Sequence, residues 1–481
     1  MRSSGFPSAL LTTQTNAARV DSGTTGRSRI TLLSYGVFAN YDYKERYLVG
    51  ASARVDASSN FGPDNQYGLF YSASVGWNLA KESFFAVDWI NTLKLRGSYG
   101  TVGNRGSLGN YASQGTVGFN TYPGGTATVP VNIANPNLQW EETAILDIGV
   151  ELGFFNNRVT AVFDYFRKET DNLLFNVPAP DESGIPGFSI ASNLGKIENK
   201  GYEIELNADI IRNENFKWTV GGNVGFLQNK ILKLPDNDGD GIGDDIEPNS
   251  FSTIFREGEE INAYFLIRYA GIDPQTGRPQ YYNAAGDVVF ADELVTDEDT
   301  VILDKSPNPD YEGGFFSDFN YKGFGFRTDF VFRGGNYINN FVKSNLLSDG
   351  TSPGSNQATQ AFNYWKRPGD TNVLPNPAYG DEAQIGGTDR FLEKGDFIRL
   401  RNVTLSYTVP KKHLEKVPFN SFRIYAQGQN LLTLSNFYGD PEVGISSGET
   451  ISQANTVAPG EATLYSYPTL KSISVGIDIT F

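Results

Sequence analysis

The stretch TAILDIGVELGFFNNRVTAVFDYF, residues 143–166, decides the fold of this chain. Apolar side chains occupy every second position of residues 146–154, and Asp, Gly and Glu fill the positions between them. Asn156 and Asn157 favour a tight reversal, because asparagine tolerates positive φ, and the alternation resumes over residues 159–165. Successive side chains of a strand point to opposite faces, so the stretch predicts a long hairpin with one oily and one polar face. Carboxylates on the second face are typical of a barrel wall that has lipid outside and water inside.

The composition is compatible with membrane strands and not with membrane helices. The chain has 481 residues, and none of its apolar runs approaches the ~18 residues that a membrane helix needs. Barrel strands are only half apolar, so this test does not exclude them. Glycine (52 residues) suits strand faces that stay narrow, and phenylalanine (34) and tyrosine (25) suit the aromatic girdles at membrane interfaces.

Charge and reactive side chains exclude several classes of function. The formal net charge of -16 argues against nucleic-acid binding, which needs a basic surface. The absence of cysteine excludes disulfides, thiolate metal sites and cysteine nucleophiles. The single histidine, His413, lies in a polar connector, so histidine-based zinc sites and Ser-His-Asp triads are implausible. We therefore assign no catalytic residue and predict that the chain is not an enzyme.

The alternation recurs along the chain and gives a strand count. Long loops rich in Gly, Pro, Asn and acidic residues separate the oily hairpins, above all at residues 104–137, 234–309, 334–395 and 436–467. A strand-like piece at residues 263–272 would break the up-and-down order if it crossed the wall, so we assign it to an outer loop. Short links within the hairpins follow Tyr43, Leu79, Phe154, Arg212, Tyr321 and Val409.

About 13 strands remain, and this odd number prevents closure. The first and last strands both run toward the periplasm, and strands of the same direction cannot close as an antiparallel pair. The sequence therefore predicts an all-β fold, a transmembrane antiparallel β-barrel with short periplasmic turns and long extracellular loops, of which this chain forms only the C-terminal part.

The N-terminal residues do not look like a complete start of an exported protein. Residues 1–29 are rich in Ser, Thr and Gly, and their one apolar cluster, residues 9–11, is too short for a signal peptide. This suggests an incomplete N-terminus. We expect a flexible or outer-loop segment over residues 1–27 and the barrel portion over residues 28–481.

Seven segments resemble the C-terminal barrel half of SusC/RagA-type TonB-dependent outer-membrane transporters of Bacteroidetes. Together they span nearly everything after residue 28, in the order of that family, and as a series they are specific. The segments are RVDASSNFG (54–62), LKLRGSYGTVGN (93–104), NPNLQWEETAILDIGVELGFFNNRVTAVFDYFRKETDNLL (135–174), NKGYEIELN (199–207), SPNPDYEGGF (306–315), DRFLEKGDFIRLRNVTLSYTVP (389–410) and QNLLTLSNFYGDPEV (429–443).

The resemblance implies a 22-strand barrel in the outer membrane of a Gram-negative cell, filled by a plug domain. It implies a SusD-like surface lipoprotein as outer cap, energy from the TonB complex, and import of oligosaccharides or, as the alternative, of peptides. No plug and no TonB-box segment is visible here, so we expect this chain to be the passive wall. The last strand, which ends at Phe481, resembles the recognition signal for the barrel-assembly machinery, and it is also simply the closing strand.

One loop matches a metal-binding pattern. Residues 236–247, DNDGDGIGDDIE, fit the calcium-loop pattern D-x-[DN]-x-[DN]-G-x5-E, in which Gly241 permits the sharp turn. The flanking helices of an EF-hand are missing, so a solvated acidic outer loop without calcium is the alternative. The expected ligands are Asp236, Asp238, Asp240, Ile242 through its carbonyl, Asp244 and Glu247.

Aromatic side chains in the long loops are candidate substrate contacts. Such rings can stack on sugars or hold a peptide, and the alternative is that they pin loops together. The candidates are Tyr111, Tyr122, Tyr364, Trp365, Phe437 and Tyr438.

Carboxylates on the polar face of the predicted strands are expected to keep the lumen wet. We expect Arg158 and Lys217 to compensate the negative charge of these carboxylates. We do not interpret the carboxylates as paired catalytic acids. They are Asp147, Glu151, Glu203, Glu205 and Asp209.

Two other functions remain open at this point. A secreted all-β carbohydrate-binding or hydrolase domain would bury its oily faces in a sandwich and dissolve without detergent. A diffusive porin would share the barrel but would not need a plug. The sandwich predicts that four oily residues lie inside a compact core, namely Leu146, Ile204, Phe330 and Ile477.

Overall fold

The structure is a computed structural model that describes most of the chain after residue 27. The expected N-terminal segment, residues 1–27, lies outside the described residues except for two short paired strands, Ser3–Ser4 and Arg19–Val20. The described ranges are residues 3–4, 19–20, 28–106, 108–122, 125–178, 189–193, 195–236, 239–247, 252–352, 354–415, 418–442 and 467–481.

Thirteen strands form one antiparallel sheet in which each strand pairs with the next along the chain. They are β1 (Leu32–Tyr43), β2 (Tyr47–Ser58), β3 (Tyr67–Asn78), β4 (Ile90–Asn104), β5 (Glu141–Phe154), β6 (Val159–Asp171), β7 (Lys196–Arg212), β8 (Phe216–Lys233), β9 (Tyr311–Tyr321), β10 (Phe324–Gly334), β11 (Phe397–Thr408), β12 (Ser421–Ser435) and β13 (Ser472–Thr480). The count confirms the prediction, and β1 and β13 are the two edges of the sheet.

The hairpin of β5 and β6 shows how the sequence sets the register. Phe154 pairs with Val159, and the pairing continues without interruption to Glu142 opposite Asp171. The reversal between them, residues 155–157, has φ values of 54°, 58° and 54°. Asparagine tolerates this left-handed conformation, which confirms the tight turn predicted at Asn156 and Asn157.

The oily face of the sheet is open, and no second sheet covers it. Ile204 is 41% exposed and Ile477 is 59% exposed, while Leu146 and Phe330 are partly exposed. The other sheets of the described residues have only two or three strands each. The sandwich alternative is therefore wrong, because its oily residues would be buried in a core.

Aromatic rings form a belt at the end of the sheet where the short links lie, which we call the short-turn end. The ring centroids of Tyr47 and Trp77 are 6.4 Å apart, and those of Phe324 and Tyr407 are 4.4 Å apart. The ring of Trp89 stacks on those of Phe154 and Phe155 at the β5–β6 turn, with centroids 5.6 and 5.9 Å away. Such girdles mark the interface of a barrel wall with lipid headgroups.

The loops at the opposite, long-loop end hold most of the buried core. Tyr264, Leu266, Tyr281 and Ile338 are fully buried there. We call residues 252–310 and 335–396 the outer-loop module. Its strands are Thr253–Ile254, Ala263–Leu266, Arg268–Ile272, Pro279–Tyr282, Val288–Phe290, Val301–Ile302, Tyr337–Asn339 and Leu392–Lys394, and its α-helices are α1 (Thr296–Asp299), α2 (Phe341–Leu347) and α3 (Gly380–Ala383).

The strand-like piece at residues 263–272 belongs to small sheets of this module, which confirms that it is not part of the wall. Two further hairpins were not predicted: Thr116–Tyr122 with Gly125–Asn132, inside the predicted loop 104–137, and Leu174–Pro178 with Ser189–Asn193. Single-turn 3-10 helices complete the chain at Leu79–Lys81, Ala291–Glu293, Ser348–Gly350, Thr359–Phe362, Pro377–Tyr379, Asp389–Phe391 and Lys411–His413.

Among the described residues, no helix has both the length and the apolar character that crossing a membrane requires.

Candidate functional site: the inner wall and the outer-loop module

The face opposite the oily one, which we call the inner wall, is held by ion pairs that run across the strands. Arg96 on β4 is the centre of the densest group. Its Nη1 lies 2.9 Å from Asp147, its Nη2 lies 2.6 Å from Asp164, and its Nε lies 3.4 Å from Glu151. Lys94 adds a second contact to Glu151 at 2.9 Å. The carboxylates are thus matched by cations on the same surface, as expected of a wall that faces water.

Gly149 makes this group possible. In the register, Gly149 on β5 lies between Arg96 on β4 and Asp164 on β6. A Cβ atom at Gly149 would lie 2.0 Å from Asp164 Oδ1 and 2.9 Å from the Arg96 guanidinium. The guanidinium therefore spans the middle strand only because that strand has no side chain at this position.

The expected compensation by Arg158 and Lys217 is only partly correct. Lys217 Nζ lies 3.5 Å from the Asp209 carboxylate, as expected. Arg158 instead donates to the backbone carbonyls of Asp209 and Ile210, at 3.1 and 2.8 Å. Asp147 and Glu151 are compensated by the cations of β4, which the sequence could not indicate because cross-strand register was unknown.

A cavity of about 580 Å³ lies along the inner wall between β6 and β11. Glu203 and Glu205 line it, and no ion pair joins either of them to another of the described residues. Glu312 and Arg333, which also line it, form a pair at 2.8 Å. The lining is polar with an excess of carboxylates, so the cavity can hold water, a polar solute or another polar segment of a larger protein.

A second cluster fastens the segment after β12 onto the inner wall. Arg399 on β11 is 1% exposed, contacts Asp440 and lies 2.9 Å from Glu442 through Nε. Burial raises the pKa of Asp440, but hydrogen bonds from Arg399 and from the backbone amides of Thr469 and Glu442 outweigh it. The pKa of Asp440 is therefore below its usual value. The sequence offered no signal for this cluster, since IRLR reads as ordinary strand alternation.

The outer-loop module is built around one buried ion pair. Arg390 Nη1 lies 2.6 Å from Asp349 Oδ2 and Nη2 lies 2.9 Å from Oδ1, and the two side chains are 5% and 0% exposed. Gln384 donates a further hydrogen bond to Asp349 at 2.6 Å. The Arg390 guanidinium also lies over the ring of Tyr269, at 5.3 Å, so the pair joins the two long loops of the module.

Burial also sets the protonation of the tyrosines packed around this pair. Burial raises the pKa of the Tyr281 hydroxyl far above its ordinary range, with Arg390 opposing the shift. Tyr281 donates from that hydroxyl to the carbonyl of Glu382. The Tyr281 hydroxyl therefore stays protonated and keeps its role as a hydrogen-bond donor within the module.

Two of the predicted substrate-contact rings pin loops together. Trp365 donates from Nε1 to the Pro274 carbonyl at 3.0 Å, and its ring covers the backbone at Gly277. Phe437 is buried against Ile338, which draws the segment after β12 toward the outer-loop module. These contacts agree with the alternative that both rings pin loops together.

The structure records contacts of their own for three of the other four candidates, and for Tyr122 it describes only the backbone. The Tyr111 hydroxyl accepts a hydrogen bond from the Arg29 backbone at 3.2 Å, and Tyr122 ends the strand Thr116–Tyr122. Tyr364 lies under the ammonium of Lys366, and Tyr438 is partly exposed beside Phe437. Their role as substrate contacts stays a prediction.

The candidate calcium loop is described only in part. Asp238 lies outside the described residues, as does its neighbour at position 237. Asp236 accepts hydrogen bonds from the amides of Gly239 and Gly241, at 2.7 and 3.0 Å, and Gly241 has a φ of 90°. Among the described residues no three carboxylates meet to hold a metal. Ile242, Asp240, Asp244 and Glu247 lie in the same described stretch, so calcium binding stays a prediction.

Calcium is expected to protect this loop from proteolysis, because a bound ion would tie residues 236–247 into one turn. The measurement is the cleavage rate of the loop and the thermal unfolding midpoint across a calcium titration. Asp236→Asn should abolish the protection, and magnesium, which keeps its waters, should give less of it. An unchanged cleavage rate and an unchanged midpoint would remove the calcium hypothesis.

Comparisons with known proteins agree with this architecture. The family model described as "TonB dependent receptor-like, beta-barrel" matches residues 4–431. TonB-dependent receptor P3 of Formosa agariphila is 33% identical over 469 residues, which cover 92% of this chain and 45% of that protein. TonB-dependent receptor SusC of Bacteroides thetaiotaomicron is 28% identical over 455 residues, which cover 90% of this chain and 43% of that protein.

The solved structure of the RagAB peptide transporter is similar over almost the whole chain. The TM-score is 0.82 at 27% sequence identity, and the match covers 99% of this chain and 51% of the chain in that structure. The chain thus spans about half the length of the relatives that it matches. The family match over most of the chain, the relatives and the thirteen-strand wall together show that the chain belongs to the TonB-dependent receptor β-barrel family and is of the SusC/RagA type.

Proposed function

We propose that this chain forms the wall of a TonB-dependent nutrient importer in the outer membrane, which takes up oligosaccharides or, as the alternative, peptides. The observation that carries the proposal is that one sheet has an exposed oily face and an opposite face with ion pairs. Lipid suits the first face and a water-filled lumen suits the second. The similarity to the RagAB peptide transporter supports the peptide alternative. The oligosaccharide class is what the resemblance to SusC/RagA-type importers implies.

In this proposal the long loops lie outside the cell and the short turns lie in the periplasm. The outer-loop module and a SusD-like lipoprotein would enclose the substrate, and TonB would then displace the plug of the complete importer. This chain would contribute a rigid wall and no bond-breaking chemistry. Its buried Arg390–Asp349 pair supports that role, since it holds the capture surface in one shape.

Deletion of the gene tests the proposal directly. Cells without it should lose uptake of labelled oligosaccharides, and cells complemented with the gene should regain it. Loss of peptide uptake alone would select the alternative substrate class. Uptake that persists after TonB is removed would indicate a diffusive porin, and unchanged uptake of both substrate classes in the deletion strain would overturn the proposal.

A further inference from the structure

Two of the short turns carry a lysine where the backbone disfavours it. Lys44 has a φ of 56° and Lys322 has a φ of 45°, both in the left-handed region. Lys322 and Gly323 form a two-residue hairpin turn in which both φ values are positive, and Asn-Gly is the usual choice there. The β5–β6 turn has asparagine at two of its three such positions, with Phe155 at the third. A residue kept in a disfavoured conformation points to a task for its side chain.

Both lysines extend over a tyrosine of the oily face. Lys44 Nζ lies 5.2 Å from the centre of the Tyr43 ring, and Lys322 Nζ lies 5.4 Å from the centre of the Tyr321 ring. Tyr43 and Tyr321 are 46% and 50% exposed, and both end strands on the outward side of the sheet. The contact with the ring face therefore holds each ammonium group on the outer side of the wall, at the edge of the aromatic belt.

These ammonium groups are available for a ligand. Among the described residues, neither Lys44 nor Lys322 forms an ion pair, whereas the neighbouring Glu45 pairs with Lys81 and Arg46 pairs with Glu82 at 3.2 Å. Both lysines are exposed. Glu45 and Glu82 are thus already engaged with other cations, and the Asp42 carboxylate accepts a hydrogen bond from the Glu45 amide at 2.7 Å.

The charge of the whole short-turn end supports an anionic ligand. The chain carries a net charge of -16, yet its six short links hold eight basic and five acidic residues. Lys411 and Lys412 follow β11, whose Thr408 amide donates to the Gly323 carbonyl at 2.8 Å, so they lie beside the Lys322 turn. Positive charge is therefore gathered at the end of the wall that carries the aromatic belt. The six links are residues 44–46, 79–89, 155–158, 213–215, 322–323 and 409–420.

We propose that Lys44 and Lys322 bind the phosphate groups of anionic phospholipids in the leaflet that the short turns face. The proposal rests on the proposed outer-membrane location. A headgroup phosphate lies just beyond the hydrocarbon, next to the aromatic belt, and an ammonium group there is a suitable donor for it. The tyrosine ring prearranges the lysine, which reduces the side-chain entropy lost on binding.

A phospholipid suits this surface better than an acidic protein does. The ammonium groups lie on the outward side of the wall, beside exposed apolar side chains such as Phe324 and Tyr321 that a soluble partner would leave in contact with water. A lipid fills both requirements, because its chains cover the apolar side chains while its phosphate meets the lysine.

Native mass spectrometry of the full-length polypeptide in neutral detergent tests the proposal. The wild-type protein should retain phosphatidylglycerol in preference to phosphatidylcholine, and the preference should weaken with salt. The double variant Lys44→Asn/Lys322→Asn should bind phosphatidylglycerol about fivefold more weakly for each lysine removed. Its thermal midpoint should be unchanged or higher, since asparagine suits the left-handed turn positions.

Lys366→Asn is the matched control. Lys366 also lies over a tyrosine, at 5.1 Å from the Tyr364 ring, but in the outer-loop module. Equal losses in the control and the double variant, or undiminished phosphatidylglycerol binding in the double variant, would overturn the proposal. Equal binding of phosphatidylglycerol and phosphatidylcholine by the wild-type protein would also overturn the proposal. If the protein is instead recovered in the soluble fraction of the cells without detergent, the proposed outer-membrane function itself is wrong.

Discussion

Replacing Arg390 with methionine should destabilise the outer-loop module by about 3–5 kcal/mol, because it leaves the Asp349 carboxylate buried without a cation. The two side chains are 5% and 0% exposed, so water cannot replace the lost partner. Hydrogen exchange of residues 252–310 and 335–396 in the full-length polypeptide measures the effect as faster local opening. Cleavage of these loops by protease should rise in parallel.

Arg367→Met is the matched control for this experiment. Arg367 is 84% exposed and lies 3.6 Å from Asp370, and an ion pair in water of this kind contributes little to stability. The double variant Arg390→Met/Asp349→Asn should recover part of the loss, because it removes the uncompensated charge and keeps a residue that tolerates the φ of 46° at position 349. Equal protection in Arg390→Met and Arg367→Met would show that the pair does not hold the module together.

Gly149→Ala should lower the stability of the wall by about 2–3 kcal/mol, because the new methyl group would separate Arg96 from Asp164. Asp164 is buried, so its carboxylate would lose its cation and gain little water. The measurement is the thermal unfolding midpoint of the full-length polypeptide in detergent. The decrease in the midpoint caused by Gly149→Ala should be smaller in an Asp164→Asn background, because that variant has no carboxylate that could lose its cation.

Gly225→Ala provides the comparison on the same inner wall. The nearest atom to a Cβ at Gly225 is 3.9 Å away, so alanine fits without any movement. Alanine also restricts the unfolded chain, so this variant should be neutral or more stable by about 0.5 kcal/mol. A similar fall of the midpoint in Gly149→Ala and Gly225→Ala would mean that the space above Gly149 does not matter.

The wall could be predicted because its signal is local. Alternation of period two needs only neighbouring residues, and each short link has its own turn residues, as at Asn156 and Asn157. The strand count followed from the order of short and long links, and the placement of residues 263–272 outside the wall followed from parity alone. No long-range contact had to be known for any of these steps.

The ion pairs of the inner wall could not be assigned in the same way. Arg96 and Asp164 were each visible as polar-face residues, but their contact across Gly149 depends on the register of two strand pairings. Alternation predicts which face a residue occupies and not which residue lies opposite. For this reason Arg158 was given a compensating role that belongs to Arg96 and Lys94.

The core of the outer-loop module was hidden for a different reason. Asp349 and Arg390 are 41 positions apart in irregular chain, where no period reveals which side chains turn inward. The same irregularity explains why the sequence could not decide whether Trp365 and Phe437 contact substrate or pin loops, whereas the structure fixes each against another loop. Composition marked these segments as loops, and only tertiary packing shows that they form a folded body.

The thirteen-strand wall constrains whatever completes it. A ring in which every neighbouring pair is antiparallel needs an even total, so in such a ring the complement of this sheet supplies an odd number of strands. Within the part of the chain that the structure describes, β1 and β13 each pair on one side only, and hydrocarbon could not satisfy the amides and carbonyls of the other side, so both seams must be sealed at once. Assembly of such a barrel therefore requires that two separate sheets be joined at two seams, and an all-antiparallel closure also requires the matching strand parity.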